Sequence, residues 1–347
     1  MEHPTTAPDL CGAQRAELDR VLSEVIPAGP VALADFPSFG NIGDSAIWLG
    51  EVETLGRLGV AAPRYVCDLS TFHPEMLRRR LGESGTILLH GGGNFGDLWP
   101  KHQEFREQIL AEFPDRQIIQ MPQSLCFQSS MALEKARRVV NAHRRFTLLV
   151  RDRESFDLAR RNFDVPVHLC PDAAFGIAVL PATGAPLRPV LWLSRGDHES
   201  PGQPVRAARA NAPGPVDWIK EPASMARRFH GWVRRLAMSR RVPSSLFLDL
   251  LRVSYNGLAG NRVARGCRLL AEGSVVVANR LHAHIICLQL GIPHFLSDTR
   301  YGKIQAYYDT WTFSSGLATM CASEADALEQ ALASVERGGG SSLKRPR

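Results

Sequence analysis

Ser274-Val275-Val276-Val277-Ala278-Asn279-Arg280-Leu281-His282-Ala283-His284-Ile285-Ile286-Cys287-Leu288-Gln289-Leu290 is the stretch that decides the fold class. Its first five residues form an apolar run that reads as a buried strand. Its last six, Ile285 to Leu290, read as a helix stopped by Gly291 and Pro293. Arg280, Leu281, His282 and His284 therefore fall where a strand gives way to a helix. In open α/β sheets ligands bind outside the carboxyl ends of the strands. A helix N-terminus also favours anions, through its free N–H groups and its dipole. An anion clamp beside a group that titrates near neutral pH suggests chemistry on a phosphate or carboxylate compound. The alternative is a buried Arg held by an acidic partner, with both His side chains satisfying nearby carbonyls.

The same alternation runs outward in both directions. Val31–Asp35, Thr86–His90, Gln117–Met121, Phe146–Val150 and Val165–Leu169 read as strands, the third stopped by Pro122. Helices are expected over Ser45–Leu58, Met131–Ala142 and Glu154–Asn162. Strands alternating with helices imply a parallel sheet. A Pro- and Ala-rich gap, Pro181 to Pro189, reads as a linker. A second α/β unit follows, with a strand from Val190 to Arg195, helices near Ala223–Leu236 and Val263–Leu270, the stretch quoted above, and a short strand from Pro293 to Leu296. This gives a helical extension over 1–29, an N-terminal α/β domain over 30–182, a C-terminal α/β domain over 183–336 and a disordered basic tail over 337–347. Residues 197–215, rich in Pro, Gly, Ala and Arg, read as a mobile loop.

At 347 residues, 44% hydrophobic and 22% charged, the composition is that of a soluble globular protein with room for two domains. No apolar stretch reaches the ~18 residues a membrane helix needs, and Met1-Glu2-His3-Pro4 does not open a secretory signal. The seven Cys are scattered without metal-ligand spacing, which fits a reducing cytoplasm. The net charge of +6 comes largely from Arg pairs on helix-like stretches. Solvated faces explain most of them, with attraction to an anionic membrane surface a secondary possibility. Aromatic residues do not interleave with the basic runs, which argues against nucleic acid.

Several loops after the strands carry chemistry. Phe39-Gly40-Asn41-Ile42-Gly43-Asp44-Ser45 is a Gly-flanked turn into a helix, where backbone can approach a ligand. Capping by Asp44 or Ser45 is the plainer reading, and the spacing is not a dinucleotide fingerprint. His90-Gly91-Gly92-Gly93-Asn94-Phe95-Gly96 can form an anion nest or simply a tight turn. Gln123-Ser124 and Arg151-Asp152-Arg153-Glu154-Ser155 also follow strands, and Arg151 can fork to a carboxylate or phosphate. Asp172, in Cys170-Pro171-Asp172, is either a cap or a site residue. Lys303 lies beyond the last strand. No nucleophile elbow and no H-E-x-x-H helix is present.

In this order the motifs resemble the polysaccharide pyruvyl transferase family. The matching pieces are Phe39 to Asp44, Gly91-Gly92-Gly93-Asn94, Gln123-Ser124, Val150 to Ser155, Pro171-Asp172, Arg280 to His284 and Gly291-Ile292-Pro293. Asp298 to Trp311 resembles the bacterial exopolysaccharide branch. Asn279 departs from the pattern, since many relatives carry Asp there. The resemblance implies two Rossmann-like domains with parallel sheets, similar to the GT-B glycosyltransferases, with the active site in the inter-domain cleft. It implies transfer of pyruvate from phosphoenolpyruvate to two hydroxyls of one sugar, giving a cyclic ketal and phosphate. No redox cofactor and no metal are required. The acceptor would be a saccharide, on an exopolysaccharide or its lipid-linked precursor, at the cytoplasmic face of the membrane.

Phosphoenolpyruvate needs two cationic clamps and backbone donors. Arg280 and Arg151 can supply the first and the Gly turns the second, with His282, His284 or Asp44 as acid or base. Asn41, Gly43, Gly91, Gly92, Gly93, Asn94, Ser124, Leu281, His284 and Lys303 complete the expected binding set. Two other readings remain: a nucleotide-sugar glycosyltransferase of the same architecture, and a non-catalytic glycan- or anion-binding protein.

Overall fold

The structure is a computed structural model that describes residues 6–197, 199–200, 213–238 and 245–338. Most of the expected mobile loop over 197–215 lies outside the described residues; of the expected tail over 337–347, residues 337–338 end a helix instead and the rest lie outside the described residues.

Helix α1 (Ala7–Val25) precedes a run of alternating elements: β1 (Val31–Ala34), α2 (Ile42–Arg57), β2 (Tyr65–Cys67), α3 (Pro74–Leu81), β3 (Thr86–Leu89), β4 (Gly92–Gly96), α4 (Pro100–Glu112), β5 (Ile118–Cys126), α5 (Ser130–Ala142), β6 (Phe146–Val150), α6 (Arg153–Asn162) and β7 (Val167–Leu169). These strands form one parallel sheet in the order β2-β1-β3-β5-β6-β7, with β4 paired to β5. A 3-10 turn, Ala173–Gly176, ends this part of the chain.

The second sheet contains β8 (Arg188–Leu193), β9 (Gly273–Ala278), β10 (His294–Leu296) and β11 (Ala318–Met320), again all parallel. Between these strands run α7 (Met225–Met238), α8 (Ser245–Ala271), α9 (Leu281–Gln289) and α10 (Lys303–Tyr307), with a π turn at Tyr308–Thr312; α11 (Glu324–Gly338) follows β11. Parallel strands are covered on both faces, so β9 is apolar without alternation. Along β8, Val190 and Trp192 face α11, while Leu191 and Leu193 face the core shared with α9.

Four expectations need correction. The strand expected to stop at Pro122 continues to Cys126. Pro122 is tolerated because its missing N–H falls in the register shift between Gln120 and Gln123. The Gly91–Gly93 stretch does not end as a free turn; Gly92–Gly96 adds a short strand to β5. The helix expected from Ile285 begins at Leu281, which places both His inside it. The helix expected over Val263–Leu270 is the end of the 27-residue α8. Glycines 257, 260 and 266 mask its periodicity, and only the last permits a close approach: a Cβ on Gly266 would lie 2.5 Å from Ile42 Cγ2 of α2, whereas one on Gly257 or Gly260 would meet nothing within 4 Å.

The cores do not follow chain order. Val233 and Ala237 of α7, and Leu251, Tyr255 and Leu258 of α8, pack on the first sheet although they follow β8 in sequence. Tyr255 stacks on Phe36 at 3.9 Å and meets the edge of Trp48. Helix α2 faces both ways: Trp48 and Leu55 join the first core, and Ile42, Ala46 and Ile47 join the second. The start of α2 is thereby fixed from two sides.

Candidate functional site

Both sheets turn their carboxyl ends toward one cavity of about 320 Å³. In the first sheet the chain leaves β1 toward β2 on one side and leaves neighbouring β3 toward β5 on the other, the arrangement that opens a crevice between two strand ends in such sheets. Phe39 and Asn41 enter the cavity from the loop after β1, Gly93 and Asn94 from the segment after β3, and Arg151 from the end of β6. From the other side come Arg195 after β8, Arg280, Leu281 and His282 after β9, and Lys303 after β10. Two helices, α2 and α9, begin at this cavity, so both present their positive ends to it.

The cations arrive already held. Arg280 forks onto Asp217, Nε to Oδ1 at 3.0 Å and Nη2 to Oδ2 at 2.8 Å. Burial, then the adjacent Arg195, pulls its pKa down, and Asp217 offsets only part of this. Arg195 forks onto Asp197 at 2.8 and 2.9 Å and reaches Glu199 at 2.9 Å. Its backbone N–H donates to Asn279 Oδ1 at 2.8 Å. The Asn279 amide therefore positions the strand end that carries Arg195. Lys303 donates to the Gly93 carbonyl at 3.0 Å and lies 3.3 Å from Glu199; burial lowers its pKa.

Arg151 is anchored from behind. Its Nε donates to Ser124 Oγ at 2.9 Å and its Nη1 to Asp172 Oδ2 at 2.6 Å. The same carboxylate oxygen lies 3.4 Å from His282 Nε2. Burial alone would raise the Asp172 carboxyl, but His282, Arg151 and the Ala174 N–H together hold it well below the usual carboxylate range. Asp172, open between cap and site residue in the sequence, does both: it caps the 3-10 turn and places its carboxylate between the Arg151 guanidinium, which it bonds, and the His282 imidazole, which it meets at ion-pair distance.

The glycines act mainly by absence of a side chain. A Cβ on Gly43 would fall 2.2 Å from His282 Nδ1, so only glycine lets the imidazole lie on the start of α2. A Cβ on Gly93 would fall 3.0 Å from Arg151 Nη2 and 3.3 Å from Lys303 Nζ. Gly91 stands behind, its N–H donating to Glu51 Oε1 at 2.8 Å, while Glu51 Oε2 lies 2.7 Å from His90 Nδ1. Burial disfavours charge on His90, but Glu51 outweighs it and raises the imidazole pKa. Asn94 Oδ1 accepts from Arg106 and Gln123, both at 2.8 Å. Asn41 caps α2 through Gly43 N–H and donates to Asp44 Oδ2 at 2.7 Å.

Of the expected residues, Asn41, Asp44, Gly93, Asn94, Arg151, Arg280, Leu281, His282 and Lys303 meet at the cavity. Gly43, Gly91, Gly92 and Ser124 support it from the layer behind. His284 is elsewhere: it is fully buried, with Nδ1 2.7 Å from His294 Nε2 and Nε2 2.8 Å from Thr312 Oγ1. Burial holds His284 well below the ordinary imidazole value and His294 at about 4.

The sequence reading missed Arg195, Asp197, Glu199 and Asp217, which sit in or beside its least periodic segment. It also missed His102, whose Nδ1 lies 2.9 Å from both oxygens of Asp35. Asp35 has φ +74°, rare for a residue with a side chain, which turns its carboxylate back at the end of β1.

A pyruvyl transferase of Schizosaccharomyces pombe is 31% identical over 294 residues, spanning 81% of this chain and 69% of the relative. The putative pyruvyl transferase EpsO of Bacillus subtilis is 28% identical, spanning 84% and 88%. A crystal structure of a functionally uncharacterised Klebsiella pneumoniae protein superposes with a TM-score of 0.55 at 15% identity, over 89% of this chain and 99% of that one, which shows likeness of fold. Residues 41–299, which hold every cavity residue named above except Phe39 and Lys303, match the profile of one family. With motifs, topology and relatives in agreement, the chain belongs to the polysaccharide pyruvyl transferases.

Proposed function

We propose that this chain uses phosphoenolpyruvate as donor and forms a cyclic pyruvate ketal across two hydroxyls of one sugar. The carrying observation is the meeting of Arg151, Arg195, Arg280 and Lys303, from both sheets, around one cavity beside His282. A molecule with a carboxylate and a phosphate needs cations in two places, and a cavity of about 320 Å³ is in the range of small-molecule sites. The two sheets serve as two GT-B-like domains, with the cavity as their cleft.

The chemistry assigns each group a task. The first sugar hydroxyl adds to C2 of the donor, and a proton is delivered to C3, which turns the methylene into a methyl group. The second hydroxyl then replaces phosphate at C2 and its proton leaves with the phosphate. Arg280 and Arg195 hold one anionic end of the donor, and Arg151 and Lys303 the other. His282 moves the proton, with ionised Asp172 orienting the ring and stabilising positive charge as it develops. Asp44, at the same helix start, receives the acceptor hydroxyl. The acceptor is a saccharide of an exopolysaccharide precursor carried on a lipid, met in the cytoplasm.

The test is direct. Purified chain, phosphoenolpyruvate and a panel of exopolysaccharide-derived saccharides should release phosphate together with a new ketal carbon signal in NMR. Donor at about 100 times its dissociation constant should stabilise the fold by roughly 2.7 kcal/mol. A folded chain that shows neither donor stabilisation nor phosphate release would overturn the assignment.

A further inference from the structure

Helix α7 carries a surface that the reaction does not use. Its sequence, Met225-Ala226-Arg227-Arg228-Phe229-His230-Gly231-Trp232-Val233-Arg234-Arg235-Leu236-Ala237-Met238, contains four Arg and no acidic residue. The inward positions are His230, Val233 and Ala237, which are buried against the first sheet and α8. About 100° around the helix, at spacings of four and three, lie Met225, Phe229 and Trp232. These large apolar side chains face solvent at 87%, 39% and 49% exposure. Phe229 and Trp232 stack on each other at 6.2 Å, with their rings 29° apart, so the stripe is one continuous patch. Exposed Arg228 and Arg235 border it on the side away from the core.

We infer that this face of α7 docks on an anionic lipid membrane. Three observations favour lipid over a protein partner. The stripe combines Trp, Phe and Met with a basic border, the composition of helices that lie in the membrane interface. The two charges that border the stripe, Arg228 and Arg235, are exposed guanidinium groups, complementary to anionic headgroups, and the helix carries no acidic residue to repel them. The opposite edge of the helix also leads toward the site. Arg227, His230 and Arg234 line a second cavity of about 370 Å³ that shares Phe39 and Ile219 with the active cavity. Among the described residues no helix is long and apolar enough to cross a membrane, so the contact is peripheral. The biological use of the surface rests on the lipid-linked acceptor proposed above; the surface itself rests on α7.

Sedimentation with vesicles tests it. The full chain should bind vesicles of phosphatidylcholine and phosphatidylglycerol, bind pure phosphatidylcholine weakly, and be released by salt. Phe229→Ser with Trp232→Ser should lower the partition coefficient at least tenfold. Arg228→Gln and Arg235→Gln should cost about fivefold each. Brominated acyl chains should quench tryptophan fluorescence in the wild type, and Trp232→Phe should remove most of that quenching while retaining binding. All these variants should keep the wild-type melting temperature and wild-type phosphate release with a soluble saccharide. Three results would overturn the inference: no binding to anionic vesicles by an active wild type, binding that the α7 substitutions leave intact, or self-association through this face without vesicle binding. Vesicle binding by a chain that releases no phosphate would sustain the docking surface and count against the proposed reaction alone.

Discussion

Gly43→Ala should remove most turnover while leaving the chain folded. The new Cβ would lie 2.2 Å from Nδ1, 2.6 Å from Cγ and 2.9 Å from Cβ of His282. Ordinary contact needs about 3.5 Å, so roughly 1.3 Å of movement must come from somewhere. Helix α2 cannot supply it cheaply, because Asn41 caps it, Ser45 Oγ bonds the Asn41 carbonyl, and Ile42 is packed against α8. The imidazole gives way instead and leaves its place 3.4 Å from Asp172. A displacement of about 1 Å costs on the order of 10²-fold in rate. The stability effect should be small, since replacing a helical glycine gains about 0.5–1 kcal/mol against the clash. Gly56, in the same helix with nothing within 4 Å of its would-be Cβ, is the control. Gly56→Ala should gain about that amount and keep full activity. Phosphate release per folded molecule, read beside thermal unfolding, decides. Wild-type turnover in folded Gly43→Ala would refute the claim that His282 must lie on the start of α2.

Asp172→Asn keeps the shape but removes the charge between Arg151 and His282; stopped-flow turnover of the folded fraction should fall by about 10² to 10⁴, and urea unfolding should show a loss of about 3–5 kcal/mol. Arg280→Lys cannot fork onto Asp217, so the KM for phosphoenolpyruvate should rise and resist rescue by the conserved charge. His282→Ala should retain donor binding by calorimetry while losing about 10² to 10⁴ in turnover. Acid should destabilise the fold before carboxylates titrate: His284 is held well below its ordinary value and His294 at about 4, so stability present above about pH 6.5 is lost toward pH 4, at roughly 3 kcal/mol per pH unit for the two rings. The opposite contribution of His90, whose pKa is raised, changes only above its ordinary value, so it does not cancel this slope; urea midpoints of wild type and His294→Gln check it.

Much of the architecture was legible because its signals are local. Val31–Ala34, Thr86–Leu89 and Phe146–Val150 are short apolar runs between polar turns, and they form strands where the pattern places them. The elements that escaped are those whose reason is tertiary. Three of the five residues of β4 are glycine, and it becomes a strand only because β5 lies beside it. α8 contains breakers that its packing on Ile42 and Phe36 overrides. Within Arg280–His284, the switch from strand to helix was readable but the division of labour was not. Positions two apart on a helix lie about 200° apart, so His282 and His284 face opposite ways once both are inside α9. One reaches the cavity, and the other is buried with His294 and Thr312. Placing the helix start at Ile285 concealed that geometry.

The carboxylates Asp197, Glu199 and Asp217 escaped for a different reason, and their role changes how the cations should be understood. Arg195, Arg280 and Lys303 are each largely buried, and a buried cation without a partner is costly. The partners come from segments with no periodicity, because what fixes them is the charge they meet. Arg195 is bound by Asp197 and Glu199, Lys303 approaches Glu199, and Arg280 is forked by Asp217. Such a cavity is nearly balanced in charge before any anion arrives. Its value to a donor is therefore order rather than raw attraction. The guanidinium planes stand fixed, Arg280 Nη1 and Arg151 Nη2 carry no hydrogen bond to another described residue, and long side chains need not lose rotamer freedom on binding. Removing Asp217 would then weaken donor binding although it removes a negative charge from an anion site, the reverse of what simple attraction requires. Titration calorimetry of Asp217→Asn with phosphoenolpyruvate separates the two: tighter binding would mean that attraction dominates, and weaker binding with a smaller favourable entropy that the carboxylates hold the clamp in place.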